Sequence, residues 1–78
     1  ARVKLHEVAS KGLEGLTPGQ AEVGASAGCS IVAVRRGGDT VVDFADDFRI
    51  RARDVLYLAG PEDNLKRFRE RFPGAAAS

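Results

Sequence analysis

The sequence is poor in the residues that most site chemistry requires. It holds one cysteine, Cys29, one histidine, His6, and neither methionine nor tryptophan. A zinc site of soft ligands takes about four residues from the Cys/His set, so that class of metal centre is excluded. A single cysteine also excludes an internal disulfide and mildly favours a reducing, cytoplasmic compartment. No glycine-bracketed serine accompanies His6, so a Ser-His-Asp hydrolase is not supported. Gly12 and Gly15 do not form the dinucleotide-binding pattern, and no Gly-Lys-Ser/Thr follows them. Ala25-Ser26-Ala27-Gly28 runs from helix to strand, the reverse of the order that aims a helix N-terminus at phosphate. Nothing here calls for a cofactor or for catalysis.

Long apolar runs are missing too. The longest are Ile31 to Val34 and Val55 to Ala59, far short of the roughly 20 residues that cross a bilayer. There is no signal-peptide pattern. The domain therefore reads as soluble, with any membrane link supplied by a partner or by further sequence. An excess of charge of one sign is missing as well: 12 basic and 11 acidic residues leave a net +1. That balance does not suit a nucleic-acid binder driven by phosphate neutralisation. The four Phe and one Tyr are not interleaved with basic residues as stacking platforms would be.

What is present is one short domain. A chain of 78 residues buries only about 60% of its unfolded surface, and burial then barely exceeds chain entropy. Support from a dimer partner or from the rest of a longer protein is expected. The chain opens at Ala1 without a methionine, as a segment of a longer protein would, or a processed N-terminus.

Along the chain, Arg2 to Val8 alternates Val3 and Leu5 with Arg2, Lys4 and His6, predicting a half-buried strand with Val3 and Leu5 on its apolar side. Residues 9–15 read as a loop. Thr17-Pro18-Gly19-Gln20 is a capping box with proline at the first helical position. The helix body runs from Ala21 to Ala27, with small residues suited to close packing, and Gly28 ends it. Cys29 to Arg35 predicts a central strand, whose unbroken apolar run suggests burial on both faces. Arg36-Gly37-Gly38-Asp39 is a hairpin turn leading into a returning arm, Thr40 to Phe44. Residues 45–53 are irregular, anchored by Phe48 and Ile50. Val55 to Ala59 is the strongest strand. Pro61, Glu62 and Asp63 open a second helix, in which Leu65, Phe68 and Phe72 form one apolar stripe. Pro73-Gly74 stops it. The expected class is α+β, in the order β-α-β-β-β-α, with a small mixed sheet and two helices packed on it. The domain spans 1–74, and 75–78 is a flexible tail.

Several residues carry two readings. Cys29 leads into an apolar run and reads as a small buried hydrophobe rather than a redox thiol. His6 reads as a surface histidine rather than a pH sensor. Asp43, Asp46 and Asp47 offer oxygen ligands for a hard cation but lack calcium-loop spacing; a solvated loop that blunts a sheet edge accounts for them. Asp54 is placed to cap backbone donors of the preceding turn. Arg35 and Arg36, with Arg49, Arg51 and Arg53, read first as a charged solvent face balanced by nearby aspartates. If their segments face each other, they make a guanidinium rim for a phosphate-bearing ligand or an acidic partner.

Three stretches taken together resemble a known family. They are Gly28-Cys29-Ser30-Ile31-Val32-Ala33-Val34-Arg35-Arg36-Gly37-Gly38, Ile50 four residues before Asp54, and Asp54-Val55-Leu56-Tyr57-Leu58-Ala59-Gly60. The ordered set resembles the RCK C-terminal domain, also called the TrkA C-terminal domain. The resemblance implies a cytoplasmic regulatory domain of a potassium or other cation channel, transporter or antiporter. Such a domain forms a homodimer and senses a small nucleotide or an ion. A purely structural dimerisation domain of the same fold is the alternative. The implied ligand cleft involves Val23, Gly24, Cys29 and Ser30, with Arg35 and Arg36 nearby. The cyclic di-AMP binders of the family carry an Arg in the first helix and an Asn at the start of the next strand, where this chain has Gly24 and Ser30. Arg53 stands where the family usually has Gly.

Overall fold

Which side chains reach the core is decided by strand register. The computed structural model describes residues 3–25 and 28–76. Its elements are β1 (Lys4–Ala9), α1 (Pro18–Ala25), β2 (Ser30–Arg36), β3 (Asp39–Val41), β4 (Val55–Gly60), α2 (Glu62–Arg71) and a single turn α3 (Pro73–Ala76). The sheet order is β1-β4-β2-β3, and all three pairings are antiparallel. The expected α+β class and element order stand. The two strongest apolar segments pair directly, Ile31 with Leu58 and Val34 with Leu56. Among the described residues, no helix is long and apolar enough to cross a membrane.

Leu56 and Leu58 of β4 are buried, while Val55, Tyr57 and Ala59 are half-buried. In β1, Val8 pairs with Leu56 and His6 with Leu58, whereas Leu5 pairs with Ala59. Paired residues share a face, so Val8 enters the core and Leu5 points away, 65% exposed, with Val3 at 73%. This corrects the face predicted for β1: Val8, not Leu5, is its anchor. Local alternation cannot see the register that sets the face.

β2 also departs from expectation. Its pairing with β4 shifts between Ile31 and Ala33. Such a bulge adds one residue and flips the side-chain parity. Ile31 and Val34 are buried while Val32 is 39% exposed, so the apolar run is not covered on both faces. The bulge, rather than two covering layers, explains four consecutive apolar residues.

Local signals work well for the helices. In α1, the Thr17 amide donates to Gln20 Oε1 (2.9 Å) and the Gln20 amide to Thr17 Oγ1 (3.2 Å), completing the capping box. Pro61 caps α2, Glu62 and Asp63 occupy its first turn, and Leu65, Phe68 and Phe72 are buried. They pack with Leu13, Ala21, Ile31, Val34, Ile50, Leu56 and Leu58 in one core on one side of the sheet. The hairpin turn is made by Gly37 at φ +62°, but β3 ends at Val41 instead of Phe44. Phe44 leaves the sheet and meets Phe48, ring centroids 5.1 Å apart, against the core. Leu13, in a stretch expected only to be loop, is fully buried.

Leu58 and Leu5 test the two faces. Leu58→Ala lowers stability by about 2–5 kcal/mol, while Leu5→Ala changes that of the monomeric domain by less than about 0.5 kcal/mol. Urea denaturation measures both, and equal losses would contradict the assignment of faces.

Candidate functional site

Asp54 organises one end of the sheet. It lies just before β4 and is 2% exposed. Its Oδ2 accepts the Arg51 amide (2.9 Å), as the capping role predicted. It also accepts two bonds from Arg36 at the end of β2: Nε to Oδ1 at 2.9 Å and Nη2 to Oδ2 at 2.7 Å. This two-point fork is the strong form of the Arg–carboxylate pair. Arg36 Nη2 donates as well to the Arg49 carbonyl (2.9 Å), and its guanidinium lies 4.8 Å from the Phe48 ring centroid. Arg49 Nη1 donates to the Gly15 carbonyl (2.7 Å). Beneath these, the Gly15 amide donates to the Ile50 carbonyl and the Ile50 amide to the Leu16 carbonyl, both 2.8 Å.

Burial alone would push the Asp54 carboxyl up. The Arg36 hydrogen bonds, the Arg51 amide and the charges of both arginines outweigh it and hold the group below the usual carboxylate range. The hydrogen bond to Asp54 raises the Arg36 guanidinium further, against a smaller opposing effect of burial.

The sequence-predicted rim is only partly assembled. Arg36, Arg49 and Arg51 line one groove of about 590 Å³ beside Phe48, with Glu14 and Asp47 also on its wall. Arg36 is already committed to Asp54 there. Arg35 points to the opposite side of β2, 3.6 Å from Glu7 and 5.9 Å from the Tyr57 ring centroid. Arg53 lines a separate depression and has φ +71°, a left-handed conformation that suits glycine. That is the position where the resembled family usually has Gly.

The implied cleft at the α1–β2 junction is described in part. Val23 and Gly24 belong to α1, and their side chains lie outside the described residues. Cys29 is buried, its thiol unbridged, and burial pushes that thiol up, which suits the hydrophobe reading. Ser30 is exposed opposite Ala59. Gly28, at φ +65°, abuts Asn64 of α2, whose Nδ2 donates to the Gly28 carbonyl (3.3 Å). Glu22 Oε1 accepts the Ile31 amide (2.7 Å), fixing where β2 begins.

His6 is half-buried and lies 3.7 Å from Glu62. Glu62 also meets Lys4 (3.4 Å) and Arg69 (3.6 Å), which ties β1 to the start of α2. Lys4 is the chief cause that lowers the Glu62 carboxyl. Asp43, Asp46 and Asp47 are exposed.

Sequence reasoning missed the Arg36–Asp54 pair. Its signal is a basic residue ending one strand and an acid opening another, which becomes a contact only once β2 and β4 are known to be neighbours.

The second feature that faces outward is the uncovered side of the sheet. Leu5, Val32, Tyr57, Ala59 and Val55 lie there, with Glu7 and Arg35 at one end. Patches of this kind on a small domain mark interaction surfaces.

Asp54→Asn lowers stability by about 2 kcal/mol through loss of the ionic fork, as measured by urea denaturation. The depressed folded-state carboxyl stabilises the protein above the unfolded-state pKa, near 4, and that contribution is lost as pH falls through the folded value. The native chain therefore loses stability in acid below about pH 4, and Asp54→Asn makes that loss shallower. An unchanged acid profile would remove Asp54 from this role.

Comparison with known proteins bears on this arrangement. The TrkA-C domain family model matches residues 21–72. Among solved structures, the chain is similar to the RCK C domain of the potassium transport protein KtrA, determined in complex with cyclic diadenosine monophosphate. The identity is 21%, the TM-score is 0.74, and the match covers 88% of this chain and 82% of that one. At that identity the likeness shows the fold alone. No curated protein matches the chain. The matched family segment begins within α1 and ends at Phe72, taking in β2, the Arg36–Asp54 junction, β4 and α2, and the chain belongs to the TrkA-C domain family.

Proposed function

We propose that this chain is a cytoplasmic regulatory domain of a potassium or other cation channel, transporter or antiporter. It docks as a homodimer and relays the state of a small ligand to the transport machinery. The observation that carries this reading is the family match from Ala21 to Phe72. The similar KtrA domain, a potassium transport protein's domain bound to cyclic diadenosine monophosphate, supports a nucleotide as the ligand.

The open side of the sheet supports docking. Val3, Leu5 and Val32 are exposed there or beside it. Glu7 and Arg35 give that face one acid and one base, so two copies related by a two-fold axis can set each acid against the other's base. A small domain with a modest core gains from covering such a face. Of the residues that the resemblance implies for the ligand, Ser30 and Arg35 are exposed on this side of β2. A ligand held at the seam between two copies favours the docked arrangement by its difference in affinity for the two states.

A structural dimerisation domain without a ligand is the second reading. It is favoured by two observations: Arg36 is already engaged by Asp54, and α1 contains no arginine.

The expected result is a dimer in sedimentation equilibrium at tens of micromolar, converted by Val32→Asp to a folded monomer. A monomer throughout would contradict docking. Cyclic diadenosine monophosphate at concentrations well above its dissociation constant raises the melting temperature. A dimer whose melting temperature does not move with nucleotide, divalent cation or potassium leaves only the second reading.

A further inference from the structure

A second depression lies on the other side of Asp54 from the arginine groove. It measures about 420 Å³ and is bounded by the end of β1, the loop after it and the start of β4. Ala9 and Val55 give it an aliphatic floor, and five charged residues line it, Glu7, Lys11, Glu14, Arg53 and Asp54.

The two signs of charge are not equivalent. Glu14 Oε1 accepts the Gly12 amide at 2.7 Å, and Glu7 lies 3.6 Å from Arg35. Asp54 is held by Arg36 and by the Arg51 amide, so all three carboxylates have partners. Lys11 and Arg53 have no hydrogen bond or ion pair among the described residues. The cations remain available at the mouth of the depression.

Arg53 is also held at a cost. Its φ of +71° is a left-handed conformation that strains any residue with a Cβ, and glycine would relieve it. Among the described residues it is the non-glycine residue in that region. A strained residue whose free cation lines a cavity is a candidate for function rather than for stability.

We infer that this depression binds a small organic phosphate. The phosphate dianion sits between Lys11 and Arg53, and an apolar body lies on Ala9 and Val55. Two cations match a dianion, and the planar guanidinium gives it a two-point contact that a lysine cannot. This site stands on its own geometry and does not depend on the regulatory reading.

Phenyl phosphate is the probe, because it joins a dianion to a flat apolar body. Isothermal titration at fixed ionic strength is expected to show saturable binding, tighter than that of inorganic phosphate, with none for phenol. Amide shifts in a nuclear magnetic resonance titration gather at Lys11, Arg53 and Val55. Arg53→Gly weakens binding about tenfold while the melting temperature holds or rises, because the strain is gone. Lys11→Ala weakens binding as well, and Arg67→Ala, on the exposed side of α2, leaves it unchanged. No saturable binding, equal binding by Arg53→Gly, or shifts confined to Arg36, Arg49 and Arg51 would overturn the assignment.

Discussion

The buried carboxylate of Asp54 is the point through which the irregular half of this protein is tied to its sheet. It receives the two-point fork of Arg36 from the end of β2 and the Arg51 amide from its own turn. Arg36 then reaches the Arg49 carbonyl, and Arg49 the Gly15 carbonyl. Residues 10–16 and 45–53 have no strand or helix of their own, yet they bury Leu13 and Ile50. A charge taken out of water is costly unless its hydrogen-bonding capacity is met. Here it is met from two directions, so the two loops and the two central strands are positioned together.

That junction leaves a sheet with two unlike faces. One face carries Val8, Ile31, Val34, Leu56 and Leu58 beneath the helices. The other has Leu5 and Val32 open, with the Glu7–Arg35 pair at its end. The bulge in β2 sharpens the division by placing one more apolar side chain on the open side. In the proposed regulatory role, the open face is the one offered for docking. The depression carrying Lys11 and Arg53 lies beside the open face, near Glu7 and Val55.

What could be read in the sequence was what short-range physics fixes. The Thr17–Gln20 box needs only its own turn, and the Leu65–Phe68–Phe72 stripe needs only helical periodicity. Gly37 in the hairpin and the capping role of Asp54 are of the same kind. The order of elements, and the family resemblance built on it, followed from these. What escaped was long-range. The face of β1 depends on register with β4, more than forty positions away, and there Val8 outweighs the more regular Val3 and Leu5. The β2 bulge hides inside an apolar run that a two-sided strand would show equally well. The arginines at 35, 36, 49, 51 and 53 read first as a solvent face and only conditionally as one rim; strand parity and the pull of Asp54 send them to three places.

The central claim is that Asp54 fastens the two loops to the sheet. Native-state hydrogen exchange of the Gly15, Ile50 and Arg51 amides tests it most directly. In the native chain, Ile50 and Gly15 are expected to exchange as slowly as the amides of β4, and in Asp54→Ala all three loop amides become fast while β4 stays protected. If these amides exchange at the rate of open loops in the native chain, or keep their protection in Asp54→Ala, the junction does not hold the loops and the account is wrong.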